Sequence, residues 1–233
     1  MKYFYDLHIH SVLSPCADRL MTPNNIFNMA NLKGLNIIAV TDHNSMKQLK
    51  ICHEISESYD MLFVPGVEIA LNDDSHILCY FRHLKDAITF DSYLETCIHK
   101  RVYDQERYGY QEITDIHDEV VDKIDYHLTP PTHLSLLQLS DALKDFDHIL
   151  VYAHVDKKVN SGLKHLNHFK LNAIELSKNH PKDFIKRHSL DHEIVLFNSD
   201  AHQIVDINEC TDLNVIELES LTIDAFFDYF GHG

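Results

Sequence analysis

The 233-residue chain carries 20 Lys and Arg against 36 Asp and Glu, a formal charge of −16, which repels a polyanionic backbone and argues against sequence-independent nucleic-acid binding. Hydrophobic residues at 45%, charged residues at 24% and only 6 Gly and 6 Pro describe an ordinary globular chain and exclude disordered and collagen-like classes. This length suits one domain over residues 1–233 with a sizeable core.

Tyr3 to His10 is short and aromatic enough for a buried strand, followed by a loop over 11–21. Thr22-Pro23 opens a helix, with Thr at the N-cap and Pro in the first turn, and Gly34 closes it. Leu35 to Thr41 is the apolar run of a strand covered on both faces, as in a parallel sheet. Ser45 begins a second helix to about Tyr59, Met61 to Ile69 supplies a third strand interrupted at Pro65-Gly66, and His76 to Phe81 a fourth. Residues 82–147 fit this cadence poorly and read as an excursion or lid. Strands resume at His148–Ala153, Asn172–Leu176, Ile194–Asn198 and Asn214–Leu218. Repeated β/α units of this length predict a parallel, barrel-like α/β fold.

The five cysteines, Cys16, Cys52, Cys79, Cys97 and Cys210, are widely spaced without a C-x-x-C pair, which suggests free thiols in a reducing compartment. Cys16 reads as a small apolar filler. No apolar signal segment opens the chain and no run approaches the roughly 18 apolar residues of a membrane span, so a soluble cytoplasmic protein is expected.

Nineteen histidines are an unusual number, and their positions carry information. His8 and His10 end the first strand, His43 follows the second and Glu68 ends the third. His154 follows the strand at 148–153, and Asp200 and His202 follow the strand at 194–198. In α/β barrels the carboxyl ends of the strands form one rim, so these side chains converge. His8 and His10, two apart on a strand, project to one face and can chelate one ion; Asp200 and His202 repeat the device. Imidazoles and carboxylates packed together repel or lose hydration unless divalent cations lie between them. The set is too large for one tetrahedral ion, so two or three ions are expected, with zinc, manganese or iron suiting the mixed donors. Beyond these five and His76, the other thirteen histidines lack this placement and read as solvated surface.

Asp6-Leu-His-Ile-His-Ser11, Thr41-Asp-His43, Pro65-Gly-Val-Glu68, Ala153-His154 and Ser199-Asp-Ala-His202 resemble, in order along nearly the whole chain, the motifs of the polymerase and histidinol phosphatase (PHP) family. The resemblance implies a distorted seven-stranded, TIM-like β/α barrel with two or three metal ions at its strand ends, and phosphoester hydrolysis. It implies that His8, His10, Glu68 and Asp200 surround a first ion, that Glu68 bridges to a second held by His76 and His154, and that Asp18, His43 and His202 hold a third. In Ser14-Pro-Cys-Ala-Asp18 the carboxylate falls three residues later than the family places it. Asp6 and Asp42, beside ligands, suggest orienting partners for imidazole N–H groups.

A water shared by two ions ionises near pH 7, so a metal-activated hydroxide attacks and no Ser or Cys nucleophile is needed. His43, His202 or a metal-bound water is expected to protonate the leaving group, with Asp200 at the reaction centre. Arg101, Arg107, Lys157 and Lys158 are the basic side chains offered to a substrate phosphate. The expected substrate is a small phosphorylated nucleotide or metabolite. An exonuclease acting on nucleic-acid ends is the alternative, and a non-catalytic metal-stabilised module a third reading.

Overall fold

A computed structural model describes residues 1–166 and 168–231. Its elements are β1 (Lys2–Ile9), α1 (Pro23–Leu32), β2 (Ile37–Val40), α2 (Leu49–Ser56), β3 (Leu62–Phe63), β4 (Gly66–Ala70), β5 (His76–Phe81), α3 (Leu84–Thr96), α4 (Gln105–Tyr108), β6 (Glu112–Thr114), β7 (Val120–Lys123), α5 (Leu136–Leu143), β8 (His148–Tyr152), β9 (Ala173–Ser177), α6 (Phe184–Arg187), β10 (Val195–Asn198), β11 (Val215–Glu217) and α7 (Ile223–Phe230). No helix among the described residues is long and apolar enough to cross a membrane.

The fold is mixed α/β. One sheet has the order β11-β1-β2-β3 and a second β10-β9-β8-β5-β4, while β6 and β7 form a separate hairpin. The expected parallel arrangement holds within β1-β2-β3 and within β8-β9-β10. It fails at β5, which runs antiparallel to both β4 and β8, and at β11, antiparallel to β1. The reason for β5 is chain length: residues 71–75 make a hairpin, whereas a parallel crossover takes roughly a dozen residues. The expected third strand also divides, because Pro65 has no N–H for a ladder. The ladders do not close into one ring among the described residues; isolated bridges, Ile9 to Ala201 and His43 to Glu68, join the ends of β1 and β2 to the two edges of the second sheet.

The strands β2, β4, β5, β8 and β9 are buried on both faces. Tyr5, Leu7, Ile37, Ala39, Leu78, Tyr80, Val151 and Leu196 share an interior cluster, into which α7 inserts Phe226, Phe227 and Phe230 as a floor. The opposite faces, such as Ile38 and Val40, pack with Phe27, Ala30, Leu49 and Cys52 of the helices. Residues 82–147 divide in two. Helices α3 and α5 bury Phe90, Leu94, Leu139 and Leu143 in that same outer core. The part between them forms a small cluster of its own, in which Ile98, Ile124, Tyr126 and Leu128 enclose Leu13 of the loop after β1.

β1 carries a bulge where its pairing to β2 shifts between Asp6 and Ile9. Strict alternation would set His8 opposite Leu7. With the extra residue, Leu7 joins the interior cluster and Ile9 the outer one, so His8 and His10 continue the inward face.

Because the Phe226 ring is wholly buried in the floor, Phe226→Ala is expected to cost about 3–5 kcal/mol of unfolding free energy in urea. Exposed Leu137→Ala is expected to stay within about 0.5 kcal/mol.

Candidate metal centre

The strand ends bring their polar side chains to one point. β1 delivers His8 and His10, the turn after β2 His43, β4 Glu68, the turn after β8 His154, and the loop after β10 Asp200 and His202. His76 begins its strand, yet because β5 is reversed it pairs with Ala70 at the end of β4 and so reaches the same rim.

Glu68, wholly enclosed, is the hub. Its Oε1 lies 2.8 Å from His76 Nδ1, 3.0 Å from His154 Nε2 and 3.5 Å from His8 Nε2. Its Oε2 lies 2.9 Å from His43 Nδ1 and 3.4 Å from His10 Nε2. Asp200 Oδ1 sits 3.3 Å from His8 Nε2 and 3.2 Å from His10 Nε2. Lys157 Nζ closes on Asp200 Oδ2.

Hydrogen bonds behind the rings fix the tautomers. His8 Nδ1 meets the Glu175 carboxylate at 2.9 Å, so that nitrogen carries a proton. Ser14 Oγ gives its hydrogen to Asp42 at 2.6 Å and therefore accepts from His10 Nδ1 at 3.1 Å. Both Nε2 atoms then point lone pairs at one another across 3.1 Å unless a cation, proton or metal, lies between them.

The electrostatics show how the cluster balances on protons alone. Burial would push the Glu68 carboxyl up, but His76, His8 and His43 hold it well below the usual carboxylate range. Burial opposes charge on His8, yet Glu175, Asp200 and Glu68 raise it well above an ordinary imidazole. His10 goes the other way, lowered by burial and then by His43 and His202.

A metal fits better than protons for a further reason. His43 Nδ1 and Glu68 Oε2 face each other at 2.9 Å, yet neither they nor His154 Nδ1 has a hydrogen-bond partner, although buried polar atoms normally do. Three overlapping sets have donor atoms close enough to share an ion: His8, His10 and Asp200; His43, Glu68 and His76; and His10, Cys16, His43 and His202.

The structure thus brings together eight of the nine side chains that the sequence suggests as ligands, and leaves Asp18 out. Asp18 is exposed and turns Oδ1 to the Leu20 N–H at 2.8 Å. Cys16, read as filler, stands against His43 and His202 instead. Of the basic residues, only Lys157 touches the cluster among the described residues. Arg101 and Arg107 are exposed ahead of β6, Arg107 over the Tyr108 ring, and Lys158 borders a cleft of about 850 Å³ with Lys157, Asp73 and Lys164.

The orienting roles also move. Asp6 takes the N–H groups of Ser199 and Asn208, and burial lifts its carboxyl to about 6. Asp42 works through Ser11 and Ser14. The carboxylate that grips an imidazole directly is Glu175 of β9, which also accepts the His154 N–H at 3.0 Å and Asn198 Nδ2 at 2.7 Å. An acidic residue in the apolar strand Asn-Ala-Ile-Glu-Leu was the available signal. None of the other described histidines is buried, and none belongs to a group able to share an ion.

Metal binding must displace the protons that His8 and His43 hold against the carboxylates. Calorimetric affinity for zinc or manganese is therefore expected to rise with pH, with protons released on binding. Glu175→Gln, which cannot accept from three donors with one oxygen, is expected to weaken binding about 10–100-fold.

No family model matches the sequence, and no curated protein matches it. The fold is shared with solved structures. The lesion-specific endonuclease Endonuclease Q of Pyrococcus furiosus superposes on 98% of this chain with a TM-score of 0.73 and 21% identity, over 55% of its own length. An Endonuclease Q complex with a 27-mer duplex bearing an abasic lesion at the active site gives 0.71 and 19%, over 99% of this chain and 56% of that one. A two-domain Bacteroides vulgatus protein containing a predicted PHP-like metal-dependent phosphoesterase gives 0.58 and 15%, over 99% of this chain and 62% of its own. The chain spans little more than half the length of either Endonuclease Q structure. It has the fold of Endonuclease Q and of the PHP-like protein.

Proposed function

We propose that the chain is a metal-dependent phosphoesterase that hydrolyses a small phosphorylated substrate, a nucleotide or metabolite. The observation that carries this reading is the convergence of Glu68, Asp200 and six imidazoles on one rim, where His43 Nδ1, Glu68 Oε2 and His154 Nδ1 are buried without a hydrogen bond. The fold supports it. With β3 and β4 taken as one interrupted strand, β1, β2, β5, β8, β9 and β10 would make up the seven strands of a distorted barrel, open between the two sheets.

On this reading His8, His10 and Asp200 would hold one ion, Glu68 with His76 and His154 a second, and His43 with His202 a third. Such ions supply hydroxide near neutral pH and neutralise phosphoryl oxygens. The roles given to His43, His202 and Asp200 are then to hold charge in place. The chain's own cation at the opening is Lys157. Its ammonium, ion-paired with Asp200, is placed to meet a phosphoryl oxygen and to stabilise the charge that develops there. The charge of −16 favours small substrates, since a long polyanion meets an unfavourable field outside the rim. The segment between α3 and α5 lies beside the same opening through Leu13, and we read it as a lid.

A second reading, a nuclease, is favoured by the likeness to Endonuclease Q, one structure of which holds duplex DNA. The test is a panel of nucleotides, sugar phosphates and short oligonucleotides with zinc, manganese and iron. Mononucleotides or metabolites are expected to show the highest kcat/KM, and oligonucleotides in that place would establish the nuclease reading. Asp200→Asn and His8→Ala are expected to abolish turnover with an unchanged circular dichroism spectrum. Lys157→Ala is expected to lower kcat/KM by about 10–100-fold, the equivalent of one charge-assisted hydrogen bond.

A further inference from the structure

We propose that Cys16 is the thiolate ligand of the outermost metal ion, joining His43 and His202 where the sequence suggests Asp18. The donor atoms of these three residues, with that of the adjoining His10, all lie within 4.8 Å of one another, and three nitrogen and sulfur donors at that spread can hold one ion with an open fourth position. His202 Nδ1 donates to the Asp200 carbonyl at 2.8 Å, which leaves its Nε2 free, whereas the one free nitrogen of His10 is already turned to His8 and Asp200. His43, also in the set, is nine-tenths buried, and its Nδ1, although 2.9 Å from Glu68 Oε2, makes no hydrogen bond.

The loop that carries Cys16 is built to hold it there. Ser14 N–H donates to Ser11 O and Ala17 N–H to Ser14 O, both at 3.0 Å, and Asp18 N–H donates to His202 O at 2.8 Å. That last bond turns the Asp18 backbone to the rim while its carboxylate caps Leu20 outside. From the other side Gly109 packs on Pro15. Its φ is +98°, and a Cβ there would lie 2.0 Å from the Pro15 carbonyl oxygen, so a glycine is required for the approach.

A thiolate makes this the softest of the positions and favours zinc or cobalt over magnesium or manganese. The inference rests on the cluster being a metal centre, and the experiment separates the two. Metal-free protein is titrated with Co²⁺, reading the visible ligand-field bands, which report any bound cobalt, and the near-ultraviolet thiolate-to-cobalt charge-transfer band, which reports sulfur ligation. Wild type is expected to show both. Cys16→Ser, with its side chain at an exposed position and the four other cysteines intact, is expected to lose the charge-transfer band and to bind one cobalt fewer per chain. Asp18→Asn is expected to keep both. Ligand-field bands without a charge-transfer band in wild type, a band surviving in Cys16→Ser, or a cobalt lost only in Asp18→Asn would overturn the assignment while leaving the metal centre standing. No cobalt spectrum at all would overturn both.

Discussion

One buried carboxylate constrains the whole rim. Glu68 is 1% exposed, and an isolated ionised carboxyl in such a place is too costly to persist without compensation. Compensation comes from five rings, those of His8, His10, His43, His76 and His154, each within 3.5 Å of one of its oxygens. Five imidazoles round one carboxylate is more donor capacity than hydrogen bonding can use, since neutral rings offer one N–H each. Atoms are left over: His43 Nδ1 and Glu68 Oε2 face each other without a hydrogen bond. The five rings stand at β1 and β5 and in the turns after β2 and β8, so the placement of these four strands decides which partners the carboxylate meets.

Two departures from regular β/α geometry make that aim possible. The bulge in β1 turns His8 and His10 onto the face already occupied by Tyr3, Tyr5 and Leu7. The reversal of β5 places the start of a strand at the rim where the other strands end, and so recruits His76 from the only side open to it. A perfectly parallel, perfectly alternating barrel built from this sequence would lose three of the rings. Irregular strands beside a functional site are positioning devices in this fold.

Much of this was legible in the sequence because it followed from periodicity and placement. Buried strands at Ile37–Val40 and His148–Tyr152, the helix after Thr22-Pro23, and seven convergent side chains stand where periodicity and strand-end reasoning put them, while His76, at the start of its strand, was signalled only by the family resemblance. What was not legible depended on contacts distant along the chain. The direction of β5 could have been read from the shortness of 71–75, but the residue at the outer position could not. Choosing between Cys16 and Asp18 turns on which way a loop faces, and that loop is set by Gly109 and Glu112, nearly a hundred residues away. Thr22 illustrates the same limit. It occupies the expected N-cap position, yet its hydroxyl donates to Asp118 and caps nothing. Glu175 was passed over because a lone acidic residue in an apolar strand has no local partner to reveal its role.

Glu175 also shows how the site is tied to the stability of the fold. His154 and Asp200 have φ of +30° and +52°, left-handed conformations that cost a non-glycine residue on the order of 1–3 kcal/mol. Glycine would relieve the strain and remove the side chain that the rim needs. At His154 the strained turn is held by its own N–H donating to Glu175 Oε1, while Oε2 of the same carboxylate fixes His8 and accepts from Asn198. Asn198 in turn accepts the Leu7 N–H with its Oδ1, which joins β10 to the bulged strand across one of the two open edges. A single buried carboxylate therefore orients a ring, anchors a strained turn and links the two sheets. The edge between β1 and β10 stays open without leaving these backbone donors unpaired because side chains take them: Asn198 accepts from Leu7, the Tyr5 hydroxyl from Phe197 and Asp6 from Ser199.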